Sequence, residues 1–206
     1  MLKKTVLSLL FFLLFASFSE AKEIPKYSFR AVYGTPTSND LGEILTGKFG
    51  SNFNDFHVYS IDGGYLLAAS AFDLPLDFYA KSGLSYYDEG INKDAYGMDI
   101  YIKAFWNFDV WDNRLRFGFG EGVSYTSRTL SAESIDAAAN NDNTSKFLNY
   151  LDISFDFDFG KLIGYKALDD TYVGFLIKHR SGIFGLINNV KHGGSNYNSF
   201  YIERKF

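Results

Sequence analysis

FDLPLDFYAKSGLSY, residues 72–86, decides the fold. Its even positions read Phe72, Leu74, Leu76, Phe78, Ala80, Ser82, Leu84 and Tyr86, and its odd positions read Asp73, Pro75, Asp77, Tyr79, Lys81, Gly83 and Ser85. Successive side chains on a strand point to opposite faces, so the stretch has one apolar and one polar face. Residues 96–108 repeat the pattern, with Tyr96, Met98, Ile100, Ile102, Ala104, Trp106 and Phe108 set against Gly97, Asp99, Tyr101, Lys103 and Phe105. Residues 147–159 repeat it again, with Phe147, Leu151, Ile153, Phe155, Phe157 and Phe159 against Asp152, Ser154, Asp156 and Asp158. Strands of soluble domains average about five or six residues. A tilted strand that crosses a bilayer needs about 9–11, with one face in lipid and the other in a polar lumen.

Eight such segments lie at about 26–34, 55–69, 72–86, 95–108, 114–128, 146–159, 169–181 and 195–206. Short connections at 70–71, 109–113 and 160–168 alternate with longer polar ones at 35–54, 87–94, 129–145 and 182–194. An even strand number, with short turns at one end and long loops at the other, predicts an all-β chain: an eight-stranded antiparallel transmembrane barrel of the outer-membrane kind over 22–206. The final Phe206 resembles the C-terminal aromatic of such barrels. Residues 1–21 read differently. Lys3 and Lys4 precede an apolar run from Val6 to Phe18, and Ser19-Glu20-Ala21 supplies the small residues of a cleavage site. That is the layout of a secretory signal peptide, and the run is too short for a spanning helix.

Composition agrees with export to a membrane. Aromatic residues make up 19% of the chain, with 22 Phe and 15 Tyr, and there is no cysteine, so disulfides hold nothing together. Taking residues 1–21 away removes Lys3, Lys4 and Glu20, which leaves 18 basic and 23 acidic residues and a formal charge of −5. That balance argues against a nucleic-acid partner.

The polar faces are expected to point Asp73, Asp77, Lys81, Asp99, Lys103, Arg116, Asp152, Asp156, Lys178 and Arg180 into the lumen, with Glu203 as a partner for Lys or Arg. Both signs are present, so the interior reads as a buried ionic plug, not a pore. Glu121 falls in phase with Phe117, Phe119, Val123 and Tyr125. A carboxylate in lipid is costly, so a glycine-associated bulge that turns it inward is expected. Asp88, Glu89, Asp94 and the NNDN run at 140–143 match no calcium-loop spacing and read as solvated loop. His57 and His192 fall near or in loops without a ligand cluster, and no metal or cofactor is expected.

LIKHRSG, residues 176–182, holds the chemistry. Val173, Phe175, Ile177, His179 and Ser181 share one face of the seventh strand, and Tyr172, Gly174, Leu176, Lys178 and Arg180 share the other. The apolar series faces lipid, so His179 and Ser181 are expected on the outer wall at headgroup height, near the long-loop end. A hydroxyl beside a base is the minimum apparatus for nucleophilic acyl transfer. The same spacing also suits a His and a Ser that only contact headgroups and water.

An exported eight-stranded barrel with H-x-S at the outer end of its penultimate strand resembles the PagL-type lipid A 3-O-deacylases, loosely over the whole barrel and specifically over about 172–206. The resemblance implies Ser181 as nucleophile, His179 as general base, and an ester-linked acyl chain of lipid A in the outer leaflet as substrate. Where that family has Asn after the nucleophile, this chain has Gly182, whose backbone N–H can serve as oxyanion donor. Where the family has its orienting Glu, the chain reads Gly194-Ser195-Asn196. Glu203 lies too far down the last strand to replace it. Asn196 is the first candidate to orient His179 and Asn149 the second, since an amide can hold an imidazole. A neutral imidazole base implies activity that falls below about pH 6.5. Two other readings stay open: a non-catalytic barrel that contacts lipopolysaccharide or another surface partner, and an adhesin working through the 35–54 and 129–145 loops.

Overall fold

In a computed structural model, residues 24–50 and 55–206 are described; the stretch read as a signal peptide lies outside them. Eight antiparallel strands pair in chain order, and β8 pairs with β1 to close the barrel. They are β1 (Tyr27–Thr37), β2 (His57–Ala68), β3 (Leu76–Asp88), β4 (Ala95–Val110), β5 (Asn113–Thr126), β6 (Phe147–Asp158), β7 (Thr171–Ser181) and β8 (Ser195–Lys205). Closure is completed past the strand ends, where the N–H of Phe206 donates to Tyr27 O at 2.9 Å.

One row of cross-strand partners shows how the barrel is built. From Tyr96 on β4 it passes through Tyr86, Tyr59, Tyr33, Phe200, Phe175, Phe155 and Phe117, and returns to β4 at Trp106. Start and return differ by ten residues (106 less 96), which is the stagger of the closed sheet. Stagger goes with tilt, typically about 35–45° in barrels. Every member of the row is aromatic and outward. Its Tyr half lies at the long-loop end, with ring centroids at 5.3, 6.3 and 5.6 Å from Tyr33 through to Tyr96. Its Phe half descends toward the middle of the wall, where no hydroxyl has to reach water. Around it Ile100, Ile102, Phe119 and Leu84 stand 46–60% exposed. An apolar surface of this extent suits lipid and not water.

The lumen is packed with ion pairs. Arg30 donates to Asp62 and to Asp152, each at 2.6 Å, and Lys103 also donates to Asp152. Lys81 bridges Asp62 at 2.8 Å and Glu203 at 2.5 Å, and Arg116 bridges Asp156 and Glu203. Lys178 meets Asp99. These groups are almost wholly buried, and a buried charge is tolerated only when paired and hydrogen-bonded.

The structure corrects four expectations. β3 begins at Leu76, because Ala71–Asp73 form a single 3-10 turn with Phe72 and Asp73 at left-handed φ; Asp73 is exposed there and not lumenal. Glu121 is not turned inward, since β4–β5 and β5–β6 pairing runs through it without a bulge, opposite Ile102 and Leu151. The third long loop is not merely polar coil: it carries helix α2 (Ser131–Asn140), and the first carries α1 (Leu41–Leu45). Nor is Glu89 solvated. It is 1% exposed and takes the N–H and hydroxyl of Ser131 at 2.7 and 2.8 Å, which caps α2. At the short-turn end, β6 and β7 are joined through α3 (Phe159–Ile163).

Candidate functional site

β7 ends in alternation, and that alternation positions the site. Lys178 and Arg180 point into the lumen and are buried, whereas His179 and Ser181 point outward and are half-buried. Arg180 anchors this end of the strand: its Nε donates to Glu133 of α2 at 2.7 Å, and the Ser195 hydroxyl donates to the same carboxylate oxygen at 2.9 Å. The lumenal half of β7 therefore ties α2 and the start of β8 to the strand that bears His179.

Cross-strand register places the neighbours. His179 pairs with Asn196 on β8 and Leu151 on β6, and Ser181 pairs with Asn149 on β6. The imidazole Nδ1 lies 2.6 Å from Asn196 Oδ1. The amide is oriented from its other side, because Asn196 Nδ2–H donates to the backbone O of Asn39 at 3.0 Å. An amide oxygen can only accept, so the network assigns the imidazole proton to Nδ1 and leaves Nε2 with its lone pair. Asn39 is itself held, its N–H donating to Thr37 Oγ1 at 3.1 Å and its Nδ2–H to Lys48 O at 2.7 Å. The expected result of 15N NMR on the folded barrel is an imidazole with Nδ1 protonated. In Asn196→Leu the signal should move toward a mixture of tautomers, and an unchanged signal would refute this role for Asn196.

The sequence-derived candidates are not all brought together. His179, Ser181 and Asn196 line one cavity of about 310 Å³, along with Asn39 and Asp40 of the first loop and Ala132 and Ile135 of α2. Asn149 lies opposite Ser181 and not opposite His179, so its register does not suit it to orient the imidazole. Among the described residues no hydrogen bond joins Ser181 to His179, and no carboxylate bonds His179. Glu203 pairs with Tyr172 deep in the lumen. Glu121 shares the cross-strand row of His179 with Leu151 between them, two strands away and about 10 Å distant. Gly182 is buried, and a Cβ there would lie 2.0 Å from Val190 O, so only glycine fits. Among the described residues its N–H has no backbone acceptor.

Sequence reasoning missed Asn39, which acts through a backbone carbonyl, and gave no role to His192, which lines the same cavity with Lys191. Asp142 holds that wall, accepting from the N–H groups of His192, Asn143 and Lys191 at 2.5, 2.7 and 2.8 Å. These bonds, the one from His192 foremost, hold the Asp142 carboxyl below its ordinary value. A lowered folded-state value means that the clamp is at full strength above the ordinary carboxylate range and is lost only as pH falls through the lower, folded value. Amide exchange at Lys191 and His192 should therefore stay protected down to about pH 4. Asp142→Asn should speed that exchange at neutral pH, and equal exchange in both proteins would exclude the clamp.

No protein-family model matches the chain, and no curated protein matches it in sequence. Solved structures do resemble it. The outer membrane enzyme PagL aligns at a TM-score of 0.60 and 14% identity, over 87% of this chain and 99% of that one. Neisserial surface protein A aligns at 0.50 and 15% identity, over 87% and 96%. The Yersinia pestis outer membrane protein Ail gives 0.42 and 10%, over 88% and 99%. The fold is that of an outer-membrane barrel. At these identities the likeness extends to the fold alone, and a fold hosts many functions. The first two neighbours are an enzyme and a surface protein, so the residues of the site have to carry the functional argument.

Proposed function

We propose that this chain is an outer-membrane serine esterase that hydrolyses an ester-linked acyl chain of lipid A, the lipid anchor of lipopolysaccharide in the outer leaflet. One observation carries the reading: the imidazole of His179 is fixed by Asn196 with Nε2 free to accept a proton, on the same lipid-facing strand end as the Ser181 hydroxyl. Ser181 Oγ attacks the ester carbonyl while His179 Nε2 takes its proton. The alcohol of the lipid then leaves with that proton, and water, deprotonated by the same imidazole, releases the fatty acid from Ser181. The Gly182 N–H serves as one oxyanion donor, and Asn149, the cross-strand partner of Ser181, supplies a second. The substrate fits the location, since the ester linkages of an amphiphile lie at headgroup height and reach an outward face by lateral diffusion. The fold-level similarity to PagL is compatible with this reading.

The second reading is a non-catalytic barrel whose rim contacts lipopolysaccharide or another surface partner. It is favoured by the missing Ser181–His179 hydrogen bond and by a neutral amide where a carboxylate would stabilise an imidazolium better. Mass spectrometry of lipid A separates the two. Cells making the native chain should yield lipid A lighter by one ester-linked acyl group, and cells making Ser181→Ala should not. Identical lipid A from native, variant and empty cells would favour the non-catalytic barrel.

A further inference from the structure

Two loops beside the site hold large apolar side chains away from the protein. After Ser181 and Gly182 the chain makes a compact turn, closed by the Ile187 N–H donating to Gly182 O at 2.9 Å. Within it Ile183 and Phe184 take left-handed φ values of 48° and 54°, a region where a β-branched residue is an outlier. Asn188 ties the turn to the outer end of β6, its Nδ2–H donating to Phe147 O at 3.0 Å and to Ser145 Oγ at 2.8 Å. This strained and anchored backbone leaves Phe184 93% and Leu186 83% exposed.

The first loop does the same on the other side of β7. In α1 Ile44 is buried, but Leu45 and, beyond the helix, Phe49 are each 57% exposed. Phe49 nevertheless touches the barrel: its ring meets Phe175 edge-on at 5.3 Å. Phe175 is an outward residue four positions below His179, and it packs in turn on Phe200 of β8 at 5.8 Å. The first loop thus reaches down the outside wall to Phe175 of β7 from the β8 side, while the fourth is fastened to β6. His179 and Ser181 lie on the strand between them.

We infer that these two loops are flaps that enter the outer leaflet on either side of β7, Leu45 and Phe49 on one and Phe184 and Leu186 on the other, with lipid acyl chains as the occupant that covers them. Continuity argues for lipid. Phe49 already packs on Phe175 and Phe200, members of the aromatic row of the membrane-facing wall, so the flap extends a surface that lies in hydrocarbon. Apolar residues on a polar-backed segment settle about 5–10 Å into the headgroup boundary. The flaps flank the strand end that bears His179 and Ser181, with Phe49 seated on Phe175 of β7 below them. The inference rests on the wall facing lipid and holds whether or not Ser181 is a nucleophile.

The chain has no cysteine, so a single introduced one can carry a nitroxide label without interference. Leu45→Cys, Phe184→Cys and Leu186→Cys would be labelled in barrels reconstituted into dioleoylphosphatidylcholine vesicles. Ile100→Cys on the wall serves as lipid reference and Asn141→Cys beyond α2 as water reference. Collisions with oxygen and with a water-soluble nickel chelate then report depth. The labels at 45, 184 and 186 should favour oxygen, as at 100, and lie about 5–10 Å below the headgroup boundary. Labels that favour the nickel chelate, as at 141, would overturn the inference. Should alteration at 184 impair folding, because of its left-handed φ, the exposed positions 45 and 186 decide the question by themselves.

Discussion

Ser181→Ala is expected to abolish the release of fatty acid when the purified barrel is mixed with lipid A in detergent, and His179→Ala to slow it by about 10²–10⁴-fold. The two losses differ in origin. Without the Ser181 hydroxyl no acyl-enzyme can form, so the covalent route is closed. Without the imidazole the hydroxyl remains but must lose its proton to water, and the loss is that of general-base assistance. Both side chains are half-buried at the strand end and take no part in the lumenal ion pairs, so the variants should fold. Equal release by all three proteins would exclude the assignment of both residues.

Asp152→Ala is expected to destabilise the barrel by about 3–5 kcal/mol, the usual result of removing one partner from a buried ion pair. Asp152 is fully buried and accepts from both Arg30 and Lys103, so its loss strands two cations at once. Arg30 keeps Asp62 and Lys103 keeps the Ser154 hydroxyl at 2.7 Å, which holds the loss within this range and short of preventing folding altogether. Guanidinium titration of the barrel in lipid vesicles, monitored by the fluorescence of Trp106 and Trp111, measures the change. Glu43→Gln, which breaks the exposed pair with Lys48, is the comparison and should leave the midpoint unmoved. A midpoint for Asp152→Ala equal to that of the native barrel would mean that the plug does not hold the wall together.

Period-two alternation is a direct imprint of a two-sided environment, which is why the strands and their inward and outward faces were legible from residue types alone. It misled at residues 72–75, where Phe72 and Leu74 keep the beat although Pro75 cannot donate to a ladder. It also hid α2, because a search at period two passes over SAESIDAAAN even though alanine is the strongest helix former. The Asp40-x-x-Glu43 spacing, whose Glu43 side chain accepts from the Asp40 N–H at 3.3 Å, was a visible helix-start signal inside a presumed coil. Glu121 failed for another reason. The cost of a lipid-facing carboxylate falls away from the bilayer midplane, so an unbroken ladder can keep it outward.

The site was legible where phase and register determine it. Phase put His179 and Ser181 on one outward face, and strand offset brought Asn196 beside His179. Register sets Asn149 two residues along β6 from Leu151, the partner of His179, and so opposite Ser181. The support from Asn39 had no signal, since every residue carries a backbone carbonyl and only the path of the loop decides which one is used.

The most direct test of the account is whether Ser181 is an activated nucleophile. A fluorophosphonate transfers its phosphonyl group to an activated serine Oγ with loss of fluoride, and the intact mass of the protein records the addition. In detergent micelles at neutral pH the account predicts a single addition to the native barrel, mapped by peptide mass to Ser181 and strongly reduced in His179→Ala. Absence of labelling, or labelling of Ser181 that is equally fast without His179, would contradict it.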